Sequence, residues 1–266
     1  MKYLFWNTCR KVDRFLIADL LYFYDIDILS LAEFNDDPDE TVALLTSRNL
    51  EYYHVEQINC NRIHLFSKIP LSCFEHRTET SYYTIKEVEE PSIGPTLLCF
   101  VHLPSKLFMS EDDQMDESRL LKMEVEMTER ECNVSNTLIT GDFNMNPFER
   151  GMAAASGIHS IPCRLTAQRG SREVKGRSFS MFYNPMWNLF GDNNNKPGSY
   201  YFGGAKHLNY FWHLLDQVII RPSLIPYFRT DSLTIIDSIG THRLVDDYHR
   251  PKISDHLPIY FVIGGK

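Results

Sequence analysis

The 266-residue sequence has no apolar run long enough to cross a membrane, no repeat, no Pro/Gly/Ser-rich linker and no CxxC pair. The first of these excludes a helical membrane span. The opening residues, MKYLFWN, run straight into a strand-like segment without the apolar stretch and small-residue cleavage site of a signal peptide. The six cysteines (Cys9, Cys60, Cys73, Cys99, Cys132 and Cys163) lie far apart, several inside apolar runs. They read as buried or incidental thiols in a reducing compartment, not as a disulfide frame. A single cytoplasmic domain over residues 1–266 is expected. Positive charge is also in short supply, with 27 Lys plus Arg against 35 Asp plus Glu and a net charge of −8. Tight, passive binding of duplex nucleic acid favours the opposite balance. Catalysis on phosphates stays open, because a carboxylate cluster makes a protein negative while its bound metal supplies the positive charge.

Against those absences, apolar runs are plentiful and short. They predict strands over 3–7, 28–32, 52–55, 63–67, 82–88, 97–102, 138–141, 215–220, 233–236 and 259–263. Helical spacing predicts a helix over 12–24, with Val12, Phe15, Leu16, Leu20 and Phe23 on one face. A second is expected over 37–48 behind Asp36 or Asp37 as cap, and a third over 114–132. Several strands have only short connections, which is more strand than a parallel βα repeat would give. An α/β sandwich of sheet packed on sheet, with helices outside, fits best.

Polar residues gather where these strands end. Asn7 closes YLFWN, Glu33 closes ILSLAE, His102 closes LLCFVH and Asp142 closes LITGD, with Asn144 two residues on. Asp216 opens DQVIIRP, and Asp255 and His256 precede LPIYFVI. The rim at strand ends is where loops converge side chains over a rigid base. Each residue alone has an ordinary reading: Asn7, Asp142 and Asn144 as turn residues, Glu33 as a cap, His102 as a satisfied structural histidine. Asp216 is harder to dismiss, because a carboxylate in an apolar strand needs a partner. His256 is the obvious candidate.

The ordered set Trp6–Asn7, LAE at 31–33, FSKIPL at 66–71, GDFN at 141–144, LDQV at 215–218 and SDHLP at 254–258 resembles the endonuclease/exonuclease/phosphatase superfamily, the fold of deoxyribonuclease I and of exonuclease III-type repair nucleases. The resemblance implies a four-layer α/β sandwich, two mixed β-sheets face to face, with the active site at one rim. It implies a Mg²⁺ or Mn²⁺ site built from Glu33, with Asn7 beside it and Asp255 completing it. All-oxygen donors suit those ions better than zinc. Asp142 would orient or deprotonate the attacking water, and Asn144 would hold that water or a phosphate oxygen. His256, oriented by Asp216, would bind the scissile phosphate or serve as general base. His102 matches the histidine that serves as candidate acid for the leaving group in the deoxyribonuclease I branch. Three positions depart from the pattern of one branch or the other: Cys9 stands where repair nucleases often carry an acid, His102 where they often carry a tyrosine, and Asn61 where an acid supports the histidine in the deoxyribonuclease I branch.

Substrate choice is expected to lie after GDFN. Arg169, Arg172 and Arg177, in a charged loop, are candidate contacts to polynucleotide phosphates. Phe182, Tyr183, Trp187, Tyr200, Tyr201 and Trp212 follow as residues able to stack unpaired bases or to pack their own loop. A metal-dependent nuclease acting on DNA or single strands is the leading expectation. A phosphatase or phosphodiesterase acting on a small molecule or lipid headgroup is the alternative, and a silent module of the same fold the third.

Overall fold

The computed structural model describes residues 1–192 and 196–264. In chain order the strands are β1 (Lys2–Asn7), β2 (Ile28–Ala32), β3 (Tyr53–Val55), β4 (Ile63–Ser67), β5 (Phe74–Glu79), β6 (Tyr83–Glu90), β7 (Gly94–His102), β8 (Asn136–Asp142), β9 (Ser160–Ile161), β10 (Ser171–Val174), β11 (Arg177–Ser180), β12 (Phe182–Tyr183), β13 (Tyr200–Tyr201), β14 (Trp212–His213), β15 (Asp216–Ile220), β16 (Phe228–Ile235), β17 (Ser238–Ile239), β18 (His242–Arg243) and β19 (Ile259–Ile263). The longer helices are α1 (Arg14–Tyr24), α2 (Pro38–Ser47) and α3 (Glu111–Cys132).

Six strands form one mixed sheet in the order β16-β19-β1-β2-β4-β3, and seven form another in the order β5-β6-β7-β8-β15-β12-β9. Alternation along β7 shows how the layers are made. Leu98 and Phe100 belong to the core shared by the two sheets, while Leu97, Cys99 and Val101 pack with Leu121 and Val125 of α3 on the outside. A strand buried on both faces in this way reads as one continuous apolar run. Helix α1 covers the six-stranded sheet, so the layers run helix, sheet, sheet, helix, the expected four-layer sandwich.

The caps follow from composition. Asp13 accepts the Leu16 N–H at the start of α1, and Asp37 accepts from Asp39 and Glu40 at the start of α2. Ser110 and Asp113 form a reciprocal capping box at the start of α3. The expected face of α1 was only partly right: Val12 and Leu20 are buried and Leu16 packs against the core, but Ile17, Ala18 and Leu21 are buried in place of Phe15 and Phe23, which are half exposed. RFLIADLLYFY is apolar almost all round, so spacing alone does not single out a stripe. Strand β5 went unpredicted because FEHRTE, on an edge, is charged and has no fully buried residue. The arginine-rich loop is in fact the β10–β11 hairpin, turned through Lys175 and Gly176 at φ 50° and 75°. Two successive positive φ values are the conformation a two-residue hairpin turn requires.

Gly141 has a packing reason as well. A Cβ built there would lie 1.9 Å from the Val101 carbonyl oxygen, so only glycine lets β7 and β8 approach at this point.

Candidate active site

Register places the polar residues on one rim. β7 and β8 are parallel with His102 opposite Asp142, and β15 is antiparallel to β8 with Asp216 opposite Asp142. Three polar side chains therefore stand in a row across three neighbouring strands. In the other sheet β1 and β2 are parallel and end together at Asn7 and Ala32, one residue before Glu33. β19 runs antiparallel to β1, so Asp255 and His256, just before it, arrive at the same end. Asn7 bridges the two sheets, its Nδ2 donating to Asp142 Oδ2 at 3.0 Å.

Asp142 is fully buried and is the hub. Besides the Asn7 amide, it accepts the Asn144 backbone N–H at 2.8 Å and Asn144 Nδ2 at 3.3 Å. Asn144 also donates to the Leu103 carbonyl at 2.8 Å and sits at φ 52°. The left-handed turn is what aims its side chain back across the strand end. His102 Nε2 lies 3.6 Å from Glu33 Oε1 and 3.9 Å from Asp142 Oδ2. Burial lowers the His102 imidazole, and the charges of Asp142 and Glu33 only partly oppose it. Its buried Nδ1 has no hydrogen-bond partner among the described residues, consistent with an asparagine standing where a supporting acid was sought. Glu33 is held at φ 50°, with its carbonyl accepting from the Arg10 N–H and Thr8 Oγ1. A non-glycine residue fixed there by its neighbours is a mark of functional sites.

His256 Nδ1 is paired with both oxygens of the buried Asp216 carboxylate, at 2.8 and 3.0 Å, and its Nε2 lies 4.0 Å from Asp142 Oδ2. Burial alone would lower this imidazole. The charge and hydrogen bond of Asp216, helped by Asp142 and Asp255, outweigh burial and raise it to about 9. Burial in turn raises Asp216 to about 6 against the opposing pull of His256. The pair is thus an imidazolium–carboxylate pair at neutral pH, with one N–H directed towards the hub.

Asp142, Asp216 and His256 each bring a ligand atom within 4.8 Å of the others, a group able to hold a metal. With both Asp216 oxygens turned to a protonated His256, that trio is better served by its own proton. The carboxylates of Glu33 and Asp255, with the Asn7 amide oxygen, offer the hard donors that Mg²⁺ or Mn²⁺ prefers. Asp255 Oδ1 has no hydrogen-bond partner among the described residues, so an anionic oxygen waits there for a cation. The residues present fit such an ion.

A cavity of about 450 Å³ opens over the rim. Its lining includes Tyr200, Phe202, Leu208 and Tyr210 from one stretch of chain, Leu107 and Phe108 from another, and Lys106 and Lys206. Of the six aromatics picked out in the sequence, only Tyr200 lines it; Phe182 and Tyr183 are core residues, and Trp187 packs edge-on against Phe148. Arg169, Arg172 and Arg177 are not brought to the cavity. Their hairpin lies beside Asn133–Ser135 and Arg221, where β8 begins and β15 ends, opposite to the rim. Arg172 donates instead to His159 at 2.8 Å.

Several contacts around the site were not foreseen from the sequence. Tyr200 packs its ring on His256 with centroids 4.6 Å apart, and its backbone bridges to the same residue. Ser254 Oγ donates to the Asn7 carbonyl and accepts the His256 N–H, locking the SDH turn to β1. Asn146, buried, accepts the Leu214 N–H and bonds Glu149 and His213 through Nδ2. It was in plain view as the second asparagine of GDFNMN.

The chain belongs to the Endonuclease/Exonuclease/phosphatase family, whose profile matches residues 4–256. It is accordingly a hydrolase of the phosphoesterase class. A sequence search of curated proteins returned no match. Among solved structures it is similar to the 3′ phosphatase NExo from Neisseria bound to product DNA hairpin, at 15% identity, with all of both chains covered and a TM-score of 0.60. It is similar also to truncated Caenorhabditis elegans TDP2, at 16% identity over 99% of this chain and 97% of that one, with a TM-score of 0.59. The human Nocturnin catalytic domain follows at 14% identity over 98% and 93%, with a TM-score of 0.54. Identities this low establish the shared fold. No helix among the described residues is long and apolar enough to cross a membrane.

Proposed function

We propose that this chain is a divalent-metal-dependent phosphoesterase that hydrolyses phosphate esters in DNA or single-stranded nucleic acid, using the rim residues described above. The observation that carries the proposal is the convergence of Asn7, Glu33, Asp255 and His256 from one sheet with His102, Asp142, Asn144 and Asp216 from the other. Turn chemistry explains any one of these residues and not the meeting of all eight.

Glu33, Asp255 and Asn7 would hold Mg²⁺ or Mn²⁺, which supplies charge neutralisation on the phosphoryl oxygens. The chain's own residues do the rest. The His256 imidazolium, kept charged by Asp216, donates its Nε2–H to a phosphoryl oxygen and stabilises the charge that grows there. Asp142, fixed by three N–H donors, orients the attacking water and accepts its proton. Asn144 holds that geometry. His102, whose Nε2 faces two carboxylates, would hydrogen-bond the leaving oxygen through an Nε2–H and stabilise its charge without giving the proton up, the product oxygen taking its proton from solvent.

The cavity supports a nucleic-acid end or single strand over intact duplex. Its exposed Phe108 and Tyr210 offer stacking surfaces for unpaired bases, Leu208 an apolar contact, and Lys206 with Lys106, which is paired to Glu149, lines it for phosphates. Neisseria NExo, bound to a DNA hairpin, and Danio rerio TDP2, complexed with single-strand DNA product, add weight to that choice. A small phosphorylated molecule is the second reading, favoured by the remote position of the arginine hairpin, which leaves few cations near the site. Turnover with Mg²⁺ on plasmid, single-stranded oligonucleotide, 3′-phosphorylated hairpin, inositol phosphates and nucleotides decides between them. Cleavage of small phosphates without any on nucleic acid would overturn the first reading.

A further inference from the structure

Far along α3 from the rim, the helix has a second apolar face with nothing on it among the described residues. Its inner face is spent on the sheet through Leu121, Val125 and Thr128. On the outside Leu120, Met123 and Met127 are 49%, 57% and 40% exposed. Their spacing of three and four residues puts them in one stripe. The stripe forms one side of a groove of about 490 Å³, and the turn leading into β6, with Tyr82 and Tyr83, forms the other.

The rim of that groove is acidic. Glu117 and Glu124 line it, and neither makes an ion pair among the described residues. Glu126 lines it too but is shared with Lys122 and Arg221, and Arg130 is the one cation lining it among the described residues. From Glu117 to Arg130 the groove follows the helix for about 20 Å, close to four turns.

We infer that this groove is a docking site for a basic amphipathic helix of a partner protein. Unbranched methionine side chains adapt to the apolar face of an incoming helix, as helix-in-groove recognition requires. The two unpaired glutamates flanking the stripe meet lysines or arginines beside that face. A second copy of this chain fits poorly, because self-pairing sets Glu117 and Glu124 against their own kind in a protein of net charge −8. The chain's own basic segment is already folded as the β10–β11 hairpin.

The test uses a fluorescein-labelled Leu/Lys amphipathic helical peptide of about 18 residues and its Leu/Glu counterpart. Anisotropy is read against the intact protein at low and high salt. The Leu/Lys peptide is expected to bind and the Leu/Glu peptide not. Met123→Gln with Met127→Gln, and separately Glu117→Gln with Glu124→Gln, should each weaken binding by about tenfold. Asp231→Asn with Asp247→Asn, the same change of charge on other surfaces, should leave it alone. Thermal unfolding and phosphoesterase turnover confirm that the variants are folded. Equal loss in the Asp231/Asp247 control means general attraction to an acidic protein and overturns the inference, as does undiminished binding by the methionine variant. A dimer in sedimentation that disappears in the methionine variant overturns it in favour of a second copy.

Discussion

Replacing Asp216 with asparagine separates what the buried pair does for stability from what it does for chemistry. The raised His256 stabilises the fold fully below its unfolded value near 6.5 and loses that contribution as pH rises through about 9. Asp216 is an acid raised from 3.8 to about 6, so its charged form costs stability that builds as pH rises from about 4 to 6. At pH 7 the two contributions are opposite in sign and offset each other, so the pair contributes little net stability. Asp216→Asn keeps the volume and an acceptor for His256 Nδ1, so the unfolding free energy should move by only about 1 kcal/mol. Without the carboxylate, burial governs His256 and pulls it below 6.5, leaving under about a quarter charged at pH 7. Turnover should then fall by about 10²- to 10³-fold, the cost of losing one preorganised charge-stabilising donor. The assay is NMR titration of His256 in metal-free protein, with and without the substitution, alongside kcat and urea unfolding. A wild-type His256 that titrates below 7, or an Asp216→Asn protein with normal turnover, refutes the reasoning.

The other expectations are briefer. Asp142→Asn should keep the turn and most of the fold but lower kcat by about 10²- to 10⁴-fold, with Asn144→Ala slower by a smaller factor, both measured at saturating metal with melting curves alongside. Excess chelator should abolish hydrolysis and Mg²⁺ or Mn²⁺ restore it, with Glu33→Gln needing more metal for half-maximal rate; full activity in chelator would rule out the proposed metal role. Replacing Arg169, Arg172 and Arg177 together with glutamine should leave kcat/KM on a short oligonucleotide within about twofold, because their hairpin stands at the other end of β8. A large loss would mean the strand passes over that end as well. Gly141→Ala should cost about 3 kcal/mol or more in urea unfolding, since its methyl group has no room beside the Val101 carbonyl.

Much of the site could be read from the sequence because its residues sit where apolar runs stop. Asn7, His102, Asp142 and Asp216 are each the terminal residue of a strand whose burial makes it conspicuous, and the strand ends locate the rim. The Asp216–His256 pair was legible for a thermodynamic reason, the cost of an unpaired carboxylate among leucines and isoleucines. Features that depend on tertiary docking were not legible. Tyr200 gave no sign of its contact with His256 across 56 positions of sequence, and SDH did not show that Ser254 would tie its turn to Asn7. The arginines misled for the converse reason: charge density along a chain carries no information about which end of a sheet a hairpin occupies. The face of α1 was hidden because nearly every side chain of that helix is apolar.

Because each sheet supplies only half of the rim, neither half has any use alone. Asn7 donates to Asp142 across the gap between layers, and nothing within one sheet replaces that bond. The rim therefore works as an alignment gauge for the sandwich. A slip of one sheet over the other by a fraction of a strand spacing would leave circular dichroism unchanged and silence the enzyme. Turnover should consequently disappear at lower urea than secondary structure does. Trimming large side chains such as Trp6 or Phe100, deep in the shared core, should register first as lost rate and only later as lost fold.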